Sequence, residues 1–183
     1  MQPQKQALIQ LRDKSFEVYI SHDEINQRTK AIAEELMADY ADKDPLFIGV
    51  LNGAFMFFAD LMKHFSAPAE IGFVKAASYE GMSSTGKVDF HEAGKLPIEG
   101  RDVIIVEDII DTGNTLVALD AYLANRKPKS VKVCTLLFKK EAYQQSMPID
   151  YVCFETANKF LLGYGLDYDG YGRNLPEVYI LSN

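Results

Sequence analysis

One stretch, Val103 to Leu116, constrains this chain more than any other. Four β-branched residues, Val103-Ile104-Ile105-Val106, run into the adjacent carboxylates Glu107-Asp108 and, past Ile109-Ile110, into Asp111-Thr112-Gly113-Asn114-Thr115. An apolar run without alternation reads as a strand buried on both faces, the habit of a central parallel strand in an α/β sheet, and such sheets bind ligands at the strands' carboxyl ends. Neighbouring anions repel unless a cation or hydroxyl donors relieve them; a sugar diol with Mg²⁺ would satisfy both. The turn of small and polar residues precedes a helical stretch, Leu116 to Ala124, so backbone N–H groups at a helix start face outward as a site for a phosphate. A plainer alternative makes Asp111 or Thr112 a helix N-cap with acids near the positive helix end. The contiguity of strand, acids and turn favours the ligand site.

The rest of the chain supplies a matching α/β frame. Ser21 and Glu24 have capping-box spacing, and Ile25, Thr29, Ile32, Leu36 and Tyr40 recur at three and four residues, which predicts a helix from about Asp23 to Ala41. Strands are predicted over Leu46 to Leu51, Glu70 to Tyr79, Val131 to Phe138 and Asp150 to Glu155. A helix is expected from Gly53 to Phe65, with Asp60 and Lys63 outward. The fold class is therefore α/β, with a mainly parallel central sheet flanked by helices. No repeat or low-complexity linker divides the 183 residues, so residues 1–183 read as one domain.

Composition excludes several classes of function. The net charge of −7 argues against a general nucleic-acid surface, which rests on clustered Lys and Arg. The start lacks a signal-peptide core and no apolar run is long enough to span a bilayer, so neither nucleic acid nor membrane is expected as a partner. Cys134 and Cys153 each lie inside an apolar run and read as buried thiols, which fits a reducing cytoplasm. His22, His64 and His91 have no Cys or His partner at metal-ligand spacing. Gly81-Met82-Ser83-Ser84-Thr85-Gly86-Lys87-Val88 approaches a nucleoside-triphosphate loop. Val88 replaces the Mg²⁺-binding hydroxyl, however, and alternation continues through Phe90 in place of a helix. Glycine-rich near misses at Gly163 and Gly170 lack the third glycine of a dinucleotide loop.

The segment Val106 to Gly113 resembles the phosphoribosyl-diphosphate signature of type I phosphoribosyltransferases, and most closely their hypoxanthine-guanine branch. Further matches keep the family's order from about Leu46 to Ile180: Leu51-Asn52-Gly53-Ala54, Ser78-Tyr79, Leu136-Leu137-Phe138-Lys139, Asn158-Lys159-Phe160-Leu161 and Gly163-Tyr164-Gly165-Leu166-Asp167-Tyr168. The resemblance implies that fold, with a lid over about 80–92 and a small hood made from about residue 159 onward plus the N-terminal segment. It implies purine salvage: a 6-oxopurine, hypoxanthine or guanine, attacks C1 of 5-phosphoribosyl 1-diphosphate and releases diphosphate with Mg²⁺ as cofactor. By the same resemblance, Glu107 and Asp108 would hold the ribose hydroxyls and help order Mg²⁺ together with Asp167. Asp111 to Thr115 would wrap the 5′-phosphate, and Asp111 would exchange a proton with the purine. Leu51, Asn52 and Gly53, through a non-proline cis peptide, and Arg173 would face the diphosphate. Ser78 and Tyr79 would lead into the lid, Lys139 would contact the 6-oxo oxygen, Phe160 would stack on the base and the Leu161 backbone would meet its edge. Asn52 and Asn114 stand where some relatives carry Lys. Kinship implies a homodimer or homotetramer, and exposed apolar residues on the 54–65 helix suit a partner surface. The competing readings are a non-catalytic nucleotide- or RNA-binding regulator on the same fold and a xanthine-preferring transferase.

Overall fold

The computed structural model describes residues 8–78 and 88–182. Tyr79 and the Glu80 to Lys87 part of the expected lid lie outside them. The chain enters as a hairpin, β1 (Leu8–Leu11) and β2 (Lys14–Ile20), which leads into α1 (His22–Tyr40). Ser21 caps α1 as its spacing predicts: the Ser21 hydroxyl accepts from the Glu24 N–H, and the Glu24 carboxylate accepts from the Ser21 N–H at 2.9 Å. The central unit follows with β3 (Leu46–Leu51), α2 (Phe55–His64), β4 (Glu70–Ser78), β5 (Val88–Glu92), β6 (Asp102–Ile110), α3 (Asn114–Ala124), β7 (Ser130–Phe138) and β8 (Tyr151–Glu155). The chain closes with β9 (Leu161–Leu162) and β10 (Val178–Leu181).

Six strands build the main sheet in the order β5-β4-β3-β6-β7-β8, parallel throughout except for β5, which returns antiparallel along β4. A second sheet, β1-β2-β10-β9, joins the two chain ends. Alternate residues of the main strands feed two cores, as a sheet covered on both faces requires. Phe47, Ile104, Val106, Cys134 and Leu136 pack with α1, α2 and the second sheet. Leu46, Ile48, Val103, Ile105 and Val133 pack with Leu116, Leu119 and Leu123 of α3. Ile104 and Ile105 are wholly buried, and a fully buried side chain of this size contributes roughly 1.5–3 kcal/mol.

Two boundaries differ from the sequence reading. The central strand does not stop at Val106 but runs through both carboxylates to Ile110. Asp60 is not simply outward: its carboxylate accepts from Lys63 Nζ at 2.8 Å and from the Tyr164 hydroxyl at 2.6 Å, tying α2 to the chain's closing segment. Periodicity reports which face a residue takes, and it is blind to a partner 104 residues away.

Candidate active site

The chain passes from β3 to β4 on one side and then returns to β6 on the other side of β3. Loops leaving the carboxyl ends of β3 and β6 therefore diverge and open a crevice between them, the place where such sheets bind ligands. The loop after β3 carries the cis Leu51–Asn52 peptide bond that the resemblance implies. Gly53 lies so close to β6 that a Cβ on it would sit 1.7 Å from Asp108 Oδ2. Behind it, a Cβ on Gly165 would sit 2.0 Å from the Gly53 carbonyl oxygen, and Gly165 holds φ +102. Only glycines let these three segments stack. The sequence places Gly53 in the loop expected to face the diphosphate; its approach to Asp108 has no local signal.

Being consecutive in a strand, Glu107 and Asp108 turn to different cavities. Glu107, 6% exposed, lines a small cavity of about 110 Å³ with Asp111 to Leu116. Asp108 lines a larger one of about 390 Å³ with Asp111, Lys139, Phe160, Leu161, Asp167 and Arg173. Burial first, and then the charge of Asp108, push the Glu107 carboxyl well above the usual carboxylate range. Burial also raises Asp108, against the pull of the backbone N–H groups of Asp108 and Ile109 and of the Arg173 charge. Asp108 is thus partly compensated, while Glu107 bears both its burial and its neighbour's charge.

The turn after β6 has the geometry of an anion cradle. Gly113, at φ +83, is the N-cap residue of α3 and makes no side-chain cap bond, so neither Asp111 nor Thr112 is spent as a cap. Asp111 instead accepts from Lys139 Nζ at 2.8 Å, with the lysine side chain 11% exposed. The strand edge therefore carries Lys139 as expected, but as one half of a pair with the acid assigned to proton exchange. A cation and an anion are thereby held side by side at one wall of the larger cavity.

Phe160, 42% exposed, lines the same cavity and is flanked by Tyr168, with ring centroids 5.7 Å apart, and by Phe16 at 6.2 Å. Lys14 Nζ stands 5.8 Å from the Phe160 ring centre, a cation at the site that no motif announced. Asp167 and Arg173, expected to meet metal and diphosphate separately, are joined to each other at 2.6 Å. The other oxygen of Asp167 accepts from the Gly170 N–H, and Arg173 also donates to the Gly165 carbonyl. Ser78 ends β4 at the same sheet edge. Among the described residues no group of three or more His, Cys, Asp or Glu could hold a metal ion.

A segment absent from the sequence reading braces the cradle from behind. Tyr143 lies where a Gly113 Cβ would come within 2.4 Å of its ring. The Gln144 N–H donates to the Thr112 carbonyl at 3.2 Å, and Gln145 Nε2 donates to Asn114 Oδ1 at 2.9 Å. Glutamine and tyrosine in a loop carry no pattern that would have marked them.

Comparison with known proteins points one way. The family of phosphoribosyl transferase domains matches residues 19–169. A hypoxanthine-guanine phosphoribosyltransferase of Aquifex aeolicus is 39% identical over 176 residues, 95% of this chain and 99% of that protein. One from Streptococcus pyogenes is 45% identical over 90% of this chain and 92% of its own. Among solved structures, a hypoxanthine-guanine phosphoribosyltransferase of Bacillus anthracis superposes with TM-score 0.84 at 36% identity, covering 91% of this chain and 97% of that one. The hypoxanthine phosphoribosyl transferase of Trypanosoma cruzi gives 0.85 at 34% identity over 95% of both chains.

Proposed function

The chain belongs to the phosphoribosyl transferase family, and from that premise we propose that it is a Mg²⁺-dependent purine-salvage enzyme acting on hypoxanthine first and guanine next. It joins the base to the sugar of 5-phosphoribosyl 1-diphosphate: the bond from C1 to the diphosphate oxygen breaks, a bond from a purine ring nitrogen to C1 forms, and diphosphate leaves. The observation that carries this reading is that the Asp111–Lys139 pair and the exposed Phe160 ring line one cavity. O6 and N7 are neighbours on one edge of an oxopurine. A cation beside an anion matches that edge, with Lys139 donating to O6 and Asp111 meeting the proton of the ring nitrogen, while Phe160 stacks on the base face. Adenine offers an amino group where Lys139 needs an acceptor.

The other roles follow from charge. Positive charge grows on the ribose as diphosphate departs, and Asp108, with Glu107 behind it, is the nearby anion that stabilises it. Residues 111–115 hold the 5′-phosphate by N–H groups and the Thr112 and Thr115 hydroxyls, which orients the sugar. Leu51, Asn52, Gly53 and Arg173 face the leaving group, with Arg173 moving from Asp167 to phosphate oxygens. Two buried carboxylates fit Mg²⁺, which takes one or two protein acids and fills its shell with substrate oxygens and water. When bound, the ion neutralises the diphosphate oxygens and makes them a better leaving group. Asp167, with both oxygens engaged by Arg173 and the Gly170 N–H, would be able to help hold the ion only if Arg173 turned to the diphosphate.

The same reading covers assembly and location. The apolar groove of Leu51, Phe55, Phe58, Met62, Ile71 and Phe73, with Phe55 and Ile71 about half exposed, serves self-association into a dimer or tetramer. Burial raises both thiols, Cys153 to about 12, and such inert free cysteines suit the cytoplasm. A nucleic-acid-binding role finds no support in a charge of −7.

The test is formation of inosine monophosphate from hypoxanthine, donor and Mg²⁺, with guanine, xanthine and adenine as competitors. Asp111→Asn should lower kcat by about 10²–10⁴-fold, the usual worth of a positioned acid or base. Absence of turnover with all three oxopurines would reject the proposal.

A further inference from the structure

We infer that Gln145 is a positioning residue that turns the amide of Asn114 toward the 5′-phosphate, so that the pair replaces the single lysine some relatives carry at position 114. This rests on the phosphate role proposed above for residues 111–115. Gln145 Nε2 lies between two oxygens, 2.9 Å from Asn114 Oδ1 and 3.4 Å from the Thr112 carbonyl. The Thr112 carbonyl can only accept, so the glutamine must present its nitrogen there, and Asn114 must answer with its oxygen. The Asn114 Nδ2 hydrogens then face whatever enters the cavity that Asn114 lines with Thr112, Gly113 and Thr115. An asparagine amide is as ready to offer its oxygen as its nitrogen, and an oxygen would repel a phosphate. A neutral residue at this position therefore needs an orienter, whereas a lysine, all donor, does not.

The brace is also well placed to hold this orientation. Gln145 is half buried, Gln144 and Gln145 both reach the Thr112 carbonyl, and Tyr143 closes against Gly113. The segment begins just after Lys139, so the base wall and the phosphate cradle are tied to the same loop leaving β7.

Titration with ribose 5-phosphate, which carries the 5′-phosphate but neither base nor diphosphate, reads the cradle directly. Gln145→Ala should raise its Kd, and the KM for 5-phosphoribosyl 1-diphosphate, about five- to tenfold, the range for losing one oriented hydrogen bond to an anion. Gln145→Glu, which offers Asn114 only acceptors, should be at least as damaging. The KM for hypoxanthine should move less than about twofold, as the base wall is untouched. In an Asn114→Lys background the same Gln145→Ala change should cost less than about twofold, because lysine needs no orienter. Equal losses in both backgrounds would overturn the inference, since Gln145 would then act only through the Thr112 backbone. So would ribose 5-phosphate binding left unchanged by Gln145→Ala in a chain that turns over hypoxanthine. Inertness toward every oxopurine would instead reject the proposed reaction, and the sugar-phosphate titration would still decide the pair.

Discussion

Glu107 is the residue at which folding and ligand binding conflict. Its carboxyl is buried beside Asp108 and has a raised proton affinity, so in the ligand-free chain the folded state binds protons more tightly than the unfolded one. Stability from this group is fully present below the ordinary carboxylate pKa and is lost as pH rises through the raised value. Glu107→Gln should therefore stabilise the ligand-free protein at neutral pH by about 1–3 kcal/mol, the range seen when buried charges are replaced. The advantage should shrink toward pH 4, while affinity for the donor with Mg²⁺ falls. Asp102 and Glu92, held below the usual range by hydrogen bonds from Lys129 and Tyr122 despite burial, lose stability in the opposite direction. They are common to both proteins and cancel. Thermal denaturation of the two at pH 5 and pH 8 checks this, and a pH-independent difference would contradict it. The placement of Glu107 and Asp108 at the carboxyl end of a buried strand was legible in the sequence, because paired acids after an apolar run are a local signal. Their separation into two cavities was not, because it depends on the strand continuing to Ile110.

Between elements, the decisive contact is the stack of Gly165 on Gly53 on Asp108, which sets the β3 loop against β6. Gly53→Ala places a methyl group 1.7 Å from a carboxylate oxygen, so the loop must retreat from the crevice. A misplacement on the scale of an ångström costs roughly 10²-fold in rate, and overpacking costs about 1–3 kcal/mol of stability. Gly94→Ala is the control: at φ +99 with nothing within 4 Å, it should cost stability alone, about 1 kcal/mol. Steady-state rates and melting of both variants separate the effects, and equal rates would refute the packing argument. Sequence patterns did announce most of the elements: β3 falls on the predicted Leu46 to Leu51, and α1 starts at its capping box. The hairpin of β1 and β2 went unread even though Phe16, Val18 and Ile20 alternate, because a short half-buried strand is a weak signal until a partner such as β10 covers it.

At the scale of the whole molecule, an apolar groove lies between α2 and β4. It borders Leu51, so self-association there would also buttress the loop proposed to face diphosphate. Phe55→Glu should shift sedimentation toward the monomer and lower activity in proportion, because charge at the centre of an apolar interface is poorly compensated. Sedimentation unchanged by Phe55→Glu would mean that the groove is not the interface.

The sequence by itself determined the α/β frame, the buried strand with its acids, the polar turn that follows it and the family, all of which reside in local periodicity and in residue identity over a few positions. Tertiary structure alone decided that Asp111 meets Lys139 across 28 residues, that Gln145 reaches Asn114 across 31, and that Gly53 gives way to Asp108. Such contacts follow from strand order and from the space left between packed elements. That space is a property of the assembled sheets, and no short stretch of chain encodes it.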